Sequence, residues 1–326
     1  MPGKHKFEEQ LAALDSLRPK PPEAAVEPLR KALTHRNNFV VSKAADIVRE
    51  LELKSLLPEL LTAFDRFFTD PVKSDPQCWA KNSISRTLAA FEHHDAEVFL
   101  RGMKHIQLEP VWGGSSDTAA TLRATCAVAL VQCRSLTDGE LLAQLIELFG
   151  DKEKSVRSAA AQAIEQVGSP SSTLLLRLKA IAGDDEPEVL GSCYSGILRL
   201  EGAKAIPWVS QFLEAGDDAA AEAALALAAT HTAAALDVLC KTFGHASDPW
   251  FRSVLLSAIA LTRQDAALEF LFDLVRTESL QAEAAVEAIL RSLPSDEVSA
   301  RLEKLIASNP RLKRAFAANR VASTKR

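Results

Sequence analysis

Apolar and small residues recur along the chain at offsets 0, 3, 4, 7 and 8 from a starting position. That spacing lines one stripe of a helix, because 3.6 residues make a turn. Val156, Ala159, Ala160, Ala163 and Ile164 form the clearest copy. The set returns as Val189, Ser192, Cys193, Gly196 and Ile197, then as Ala220, Ala223, Ala224, Leu227 and Ala228. Phe251, Val254, Leu255, Ala258 and Ile259 continue it, followed by Ala282, Ala285, Val286, Ile289 and Leu290. Toward the N-terminus, Leu122, Thr125, Cys126, Ala129 and Leu130 keep the register, as do Ala80, Ser83, Ile84, Thr87 and Leu88. Val40, Ala44, Ile47 and Val48 make an eighth copy, with Lys43 at one apolar position. From 122 onward the copies start 34, 33, 31, 31 and 31 residues apart, whereas the two earlier steps are 40 and 42. A period in this range predicts a solenoid whose repeats bury a face only against their neighbours. The long steps place insertions around 69–75 and 108–117.

Each stripe reads as the second helix of a pair. First helices are expected near 23–34, 54–68, 95–107, 138–149, 170–182, 203–215, 232–244 and 265–277, on spacing such as Leu141, Leu145, Leu148 and Leu268, Leu271, Val275. Gly150-Asp151 and Gly183-Asp184-Asp185 punctuate the turns. Arg18-Pro19-Lys20-Pro21-Pro22 separates a leading helix at about 6–17, whose Phe7, Leu11 and Leu14 suit a cap. No segment has the alternation or β-branched density of a strand. The expected fold is therefore all-α, an α-α superhelix of about eight antiparallel helix pairs. Residues 1–22 form its capping helix and linker, 23–293 the repeat array, and 294–326 a C-terminal capping helix and basic tail.

A second regularity is sharper. Asp75, Asp117 and Asp151 each stand five residues before a stripe, and each has a base six residues on: Lys81, Arg123 and Arg157. Such an Asp accepts from the free N–H groups at the start of the second helix. The base one turn in reaches an Asp of an adjacent repeat. With Pro28, Pro58 and Pro207 inside first helices, this pattern resembles the HEAT repeat, most cleanly at Val156-Arg157. Within that family it resembles the bacterial, PBS-lyase-like HEAT repeats. The resemblance implies a scaffold or binding module rather than one particular activity. Later repeats depart from it, since Leu190, Ala221 and Glu283 occupy the basic position and Asp248 stands closer to Arg252.

Charge and cysteine content narrow the function classes. The formal net charge is −5, yet 309–326 holds Arg311, Lys313, Arg314, Arg320, Lys325 and Arg326 and no acid. The rest of the chain is correspondingly more acidic, which argues against a phosphate-tracking groove along the repeats. It leaves the C-terminal tail as the candidate nucleic-acid element. No run is long and apolar enough for a membrane span. The start, MPGKHKFEEQ, lacks a secretory h-region. Five cysteines without a CxxC pair favour a reducing, cytoplasmic setting.

No nucleotide, hydrolase or metalloprotease motif is present, so no cofactor is expected and no catalytic residue is assigned. His93, His94 and Asp95 are adjacent, and adjacent side chains diverge, so they read as exposed groups at a helix start rather than metal ligands. The expectation is a non-catalytic scaffold for a protein or peptide partner; the alternatives are a nucleic-acid-associated protein using the basic tail and a lyase-type or enzyme-accessory HEAT protein with a site near Trp112. The longest departure from the repeat, Ile106 to Thr118, places Trp112 beside Gly113-Gly114. Trp112 is either an aromatic anchor for that partner or a plug for an irregular turn. Arg101, His105, Glu109 and Lys81 are candidates to converge there. The remaining face of the second helices is poor in charge, with Val128 and Tyr194 among its residues. It either forms an apolar groove for a partner or packs against other helices.

Overall fold

The computed structural model describes residues 2–292 and 295–323. The chain divides into two units, Met1–Val167 and Gly168–Arg326. In the first, helices α1 (Pro2–Asp15), α2 (Pro22–Leu33), α3 (Asn38–Glu50), α4 (Leu57–Arg66), α5 (Pro71–Ser74), α6 (Trp79–Ala90) and α7 (Ala96–Met103) precede a hairpin. Its strands are β1 (Leu108–Val111) and β2 (Gly114–Asp117), and α8 (Ala120–Leu130), α9 (Asp138–Glu147) and α10 (Lys154–Val167) complete the unit. Four pairs result: α2 packs on α3, α4 on α6, α7 on α8 and α9 on α10. The second helices also pack in sequence, α3 on α6, α6 on α8 and α8 on α10.

Apolar periodicity explains that order. Val40, Ala44, Ile47 and Val48 are buried in α3, and Ala80, Ile84 and Leu88 in α6. Leu122, Cys126 and Leu130 are buried in α8, and Val156, Ala160 and Ile164 in α10. Small residues on the stripe let neighbouring helices approach closely; a Cβ added at Gly102 in α7 would run into Cys126 Sγ in α8. Lys43, the odd residue in its stripe, extends to Asp15 of α1 at 2.5 Å.

The second unit repeats the arrangement. It contains α11 (Pro170–Ala182), α12 (Pro187–Glu201), α13 (Ile206–Ser210), α14 (Asp218–Ala228), α15 (Ala233–His245), α16 (Pro249–Leu261), α17 (Asp265–Arg276) and α18 (Ala282–Ser292). It ends in α19 (Asp296–Leu305) and α20 (Pro310–Ser323). The pairs are α11/α12, α13/α14, α15/α16 and α17/α18, and α12, α14, α16 and α18 pack successively. Asp217 caps α14 through Ala220 N (2.9 Å), and Asp248 caps α16 through Phe251 N (2.8 Å). The expected boundary at 293–294 lies outside the described residues.

Among the described residues the helices pack on one another; the first helix expected at 203–215 is the short α13 between two 3-10 turns, Gly202–Ala205 and Gln211–Ala215, and another segment departs from the sequence reading altogether. Residues 108–117 form an antiparallel hairpin where no strand was expected. Leu-Glu-Pro-Val and Gly-Ser-Ser-Asp have little β-propensity of their own, so contacts with the rest of the unit hold the pairing. The first helix expected to reach 107 ends at Met103 for the same reason.

Candidate functional site

The insertions at 69–75 and 108–117 belong to successive repeats, and the structure joins them. Asp75 is fully buried. Its carboxylate accepts from Asn38 Nδ2 (2.9 Å), Ala80 N (2.9 Å), Lys81 N (3.0 Å) and Lys81 Nζ (2.9 Å). It thereby caps α6 from five residues away. The reach depends on the intervening turn, where Gln77 (φ 61°) and Cys78 (φ 55°) are both left-handed. Non-glycine residues in that region cost about 1–3 kcal/mol each.

Glu109 of β1 offsets that cost. Its Oε1 accepts from Gln77 N at 2.6 Å and its Oε2 from Gln77 Nε2 at 3.1 Å. Thr118 Oγ1 and Gln107 Nε2 each donate to Oε1 at 2.7 Å. Gln107 Nε2 also donates to the Asp75 carbonyl at 2.8 Å. Burial pushes the Glu109 carboxyl up, but the bonds from Thr118, Gln107 and Gln77 outweigh it and hold the group below the usual carboxylate range.

The network continues into the next pair. Asp117 Oδ1 accepts from Ala119 N (2.9 Å) and Gln107 N (3.2 Å), and its Oδ2 meets Arg123 at 2.7 Å. Arg123, 3% exposed on its side chain, grips Asp151 with two bonds of 2.7 and 2.9 Å and donates to the His105 carbonyl at 3.0 Å. Burial opposes the Arg123 charge, and the two aspartates overcome it and raise its pKa. Asp117 is likewise destabilised by burial but lowered overall by Ala119, Gln107 and Arg123. Arg157 donates to the carbonyls of Asp151 (2.8 Å) and Lys152 (3.1 Å). In the second unit Asp184 instead pairs with Lys179 of the preceding helix at 2.7 Å.

These contacts change the roles of the candidate residues. Lys81 is fully buried on Asp75 and the Phe67 carbonyl (3.1 Å), and Glu109 is 6% exposed. Neither presents charge to a partner; both are interior groups. His105 lies edge-on to Phe68 with its Nε2 3.2 Å from Gln107 Oε1, and burial lowers its pKa. Arg101 is exposed, pairs with Asp65 and covers Phe68 at 4.5 Å. Tyr194 is fully buried against Phe212, which removes it from any binding face. Ala127, Gly191, Leu256 and Ala260 are buried too, because second helices pack on more than one side. Val128 remains half-buried on α8.

Trp112 is the opposite case. It is fully solvent-exposed (104%) in the two-residue turn between β1 and β2, so it plugs nothing. The next residue, Gly113, has φ +88°, a value a β-carbon would strain. Leu108 and Val111 are exposed beside it, and Trp79, 46% exposed, starts α6 next to the clamped turn. The exposed residues 110–116 carry no charge. The chemistry legible here is an apolar tip on a rigid polar base. Sequence reading missed the hairpin itself; Pro110 and Gly113 flanking Trp112 were the available signal.

Elsewhere, a cleft of about 580 Å3 in the second unit is lined by Lys241, His245, Asp248 and Phe251, with Asp248 already engaged at its helix start. Among the described residues, no group of three or more His, Cys, Asp or Glu is placed to hold a metal, and no helix is long and apolar enough to cross a membrane. His94 Nδ1 lies 3.2 Å from the Gln132 carbonyl. No family model matches the chain, and no curated protein matches it.

Proposed function

We propose that this protein is a non-catalytic, cytoplasmic HEAT-type scaffold that binds a protein or peptide partner through the Trp112 hairpin and the adjoining charge-poor surface of α8. The observation that supports it most is the pairing of a fully exposed tryptophan with a base held by Glu109, Gln107 and Asp117. A backbone already held in place loses less freedom on binding, and buried aromatics at interface centres contribute about 2 kcal/mol or more. The HEAT-type α-α superhelix over 23–293 is part of the same proposal. It is supported within each unit by second helices packing in sequence.

A photo-crosslinking amino acid at position 111, exposed beside Trp112, tests the site directly and identifies the partner. Trp112→Ala is then expected to weaken that complex at least about thirtyfold, and Val128→Glu to weaken it as well. Wild-type affinity in both variants overturns the reading.

A second reading, nucleic-acid binding through 309–326, has one observation in its favour: Lys313 and Arg314 are exposed on α20. Lys325 and Arg326 lie outside the described residues. Salt-dependent RNA affinity abolished by Lys313→Glu/Arg314→Glu supports it.

A further inference from the structure

The two edges of the hairpin are not equivalent. The register runs from Leu108↔Asp117 to Val111↔Gly114, and one step beyond it Thr118 N donates to Gln107 O at 2.9 Å. Hydrogen-bonded pairs alternate along an antiparallel ladder, so 107/118, 109/116 and 111/114 bond internally. The main-chain groups of Leu108, Pro110, Ser115 and Asp117 therefore face outward. On β1 that outer edge is blocked, because Pro110 has no N–H to give an added strand. On β2, Ser115 offers both N–H and C=O, and Gly114, Ser115 and Ser116 are exposed and uncharged. The nearest acid, Asp117, turns its carboxylate to Gln107, Ala119 and Arg123.

We propose that this open edge pairs with β2 of a second copy of the chain, antiparallel about a two-fold axis at Ser115. A two-fold gives identical strands an antiparallel, self-complementary interface. The two Ser115 residues exchange their N–H and C=O groups, and Gly114 of each copy faces Ser116 of the other. Only small, neutral side chains meet, so like charges do not oppose one another although each chain carries −5. Pro110 then occupies both outer edges, and the sheet closes at four strands instead of propagating. Pairing through one four-residue strand edge is a small contact, and contacts below about 1,200 Å2 are those of transient complexes, so association is a concentration-dependent equilibrium. The inference concerns the edge and does not depend on what Trp112 binds.

Sedimentation velocity on the full chain, from about 1 μM to about 1 mM, reads the equilibrium. The wild type is expected to shift from monomer to dimer across that range. Ser115→Pro gives β2 the same block that Pro110 gives β1 and is expected to raise the dimer dissociation constant at least tenfold. Ser115→Lys keeps the N–H but opposes two ammonium groups; its association is expected to weaken at low salt and recover as salt screens them. This variant decides the matter if circular dichroism shows that the proline variant misfolds. Pro110→Ser reopens β1 and is expected to add species larger than a dimer. A wild type that stays monomeric throughout, or a dimer that Ser115→Pro and Ser115→Lys both leave intact, overturns the proposal.

Discussion

At the scale of single residues, this protein is organised by buried polar groups more than its apolar pattern suggests. Arg123 is held by Asp117 on one side and Asp151 on the other. Losing Asp117 removes the acceptor for Ala119 N and Gln107 N and one of two counter-ions, a loss of about 1–3 kcal/mol. Losing both aspartates strands a buried cation, so Asp117→Ala/Asp151→Ala is expected to cost more than the sum of its parts. A double-mutant cycle by chemical denaturation measures this, and simple additivity counts against the ladder. Glu109 and Asp117 also set a pH dependence. Both carboxyls are held below their usual range when folded. Their contribution is thus present above the unfolded-state values of about 4 and is lost as pH falls through the folded ones. The wild type is expected to lose thermal stability on the acid side of about pH 4, and Glu109→Gln to flatten that loss while lowering stability at neutral pH. An unchanged acid slope in Glu109→Gln removes Glu109 from the account.

Elements show how two irregular insertions become one feature. The turn at Gln77 and Cys78 has an unfavourable backbone, and β1 supplies the carboxylate that holds it. The hairpin in turn has weak propensity and is fixed by Gln107, Glu109 and Asp117 at its base. Each insertion stabilises the other, so Glu109→Ala is expected to speed amide hydrogen exchange at 76–79 and across the hairpin while leaving α9 protected. Uniform exchange in both segments before and after the change contradicts that mutual support. Close helix packing is equally local. Gly102→Ala drives a methyl into Cys126 Sγ between α7 and α8, a clash worth about 1–3 kcal/mol. Gly102→Ala/Cys126→Ala is expected to recover much of it in thermal melts. Failure to recover places the cost in α7 itself.

For the molecule as a whole, most of the expected basic tail, Pro310–Ser323, is a packed helix. Leu312 and Phe316 of α20 are buried, α20 packs on α18, and Arg311 pairs with Glu283 at 2.9 Å. Ending the chain at Ser308 therefore uncovers α18, with about 1.5–3 kcal/mol lost for each large side chain no longer buried. Such a truncation is expected to lower the melting temperature, and so cannot serve as a clean probe of nucleic-acid binding. Charge reversal at Lys313 and Arg314 leaves the apolar face intact and separates the two effects. An unchanged melt after truncation means that α20 contributes little to the second unit.

Of the three spaced aspartates, Asp75 reaches N–H groups inside its helix, whereas Asp117 and Asp151 bond the residue before theirs. Period and spacing in the sequence determined the helix pairs and the order in which second helices pack. These follow from a local property: an amphipathic stripe must be covered. Tertiary structure decided the rest. Lys81 and Glu109 look like surface charges until the burial of Asp75 and the clamp on Gln77 assign them inward. Tyr194 belongs to a face that later packing closes. Residues 108–117 become strands only because their base is bonded on several sides, a condition no short segment encodes alone. Trp112 is left outside for the same reason: every polar partner at the hairpin's base holds the tip away from the core.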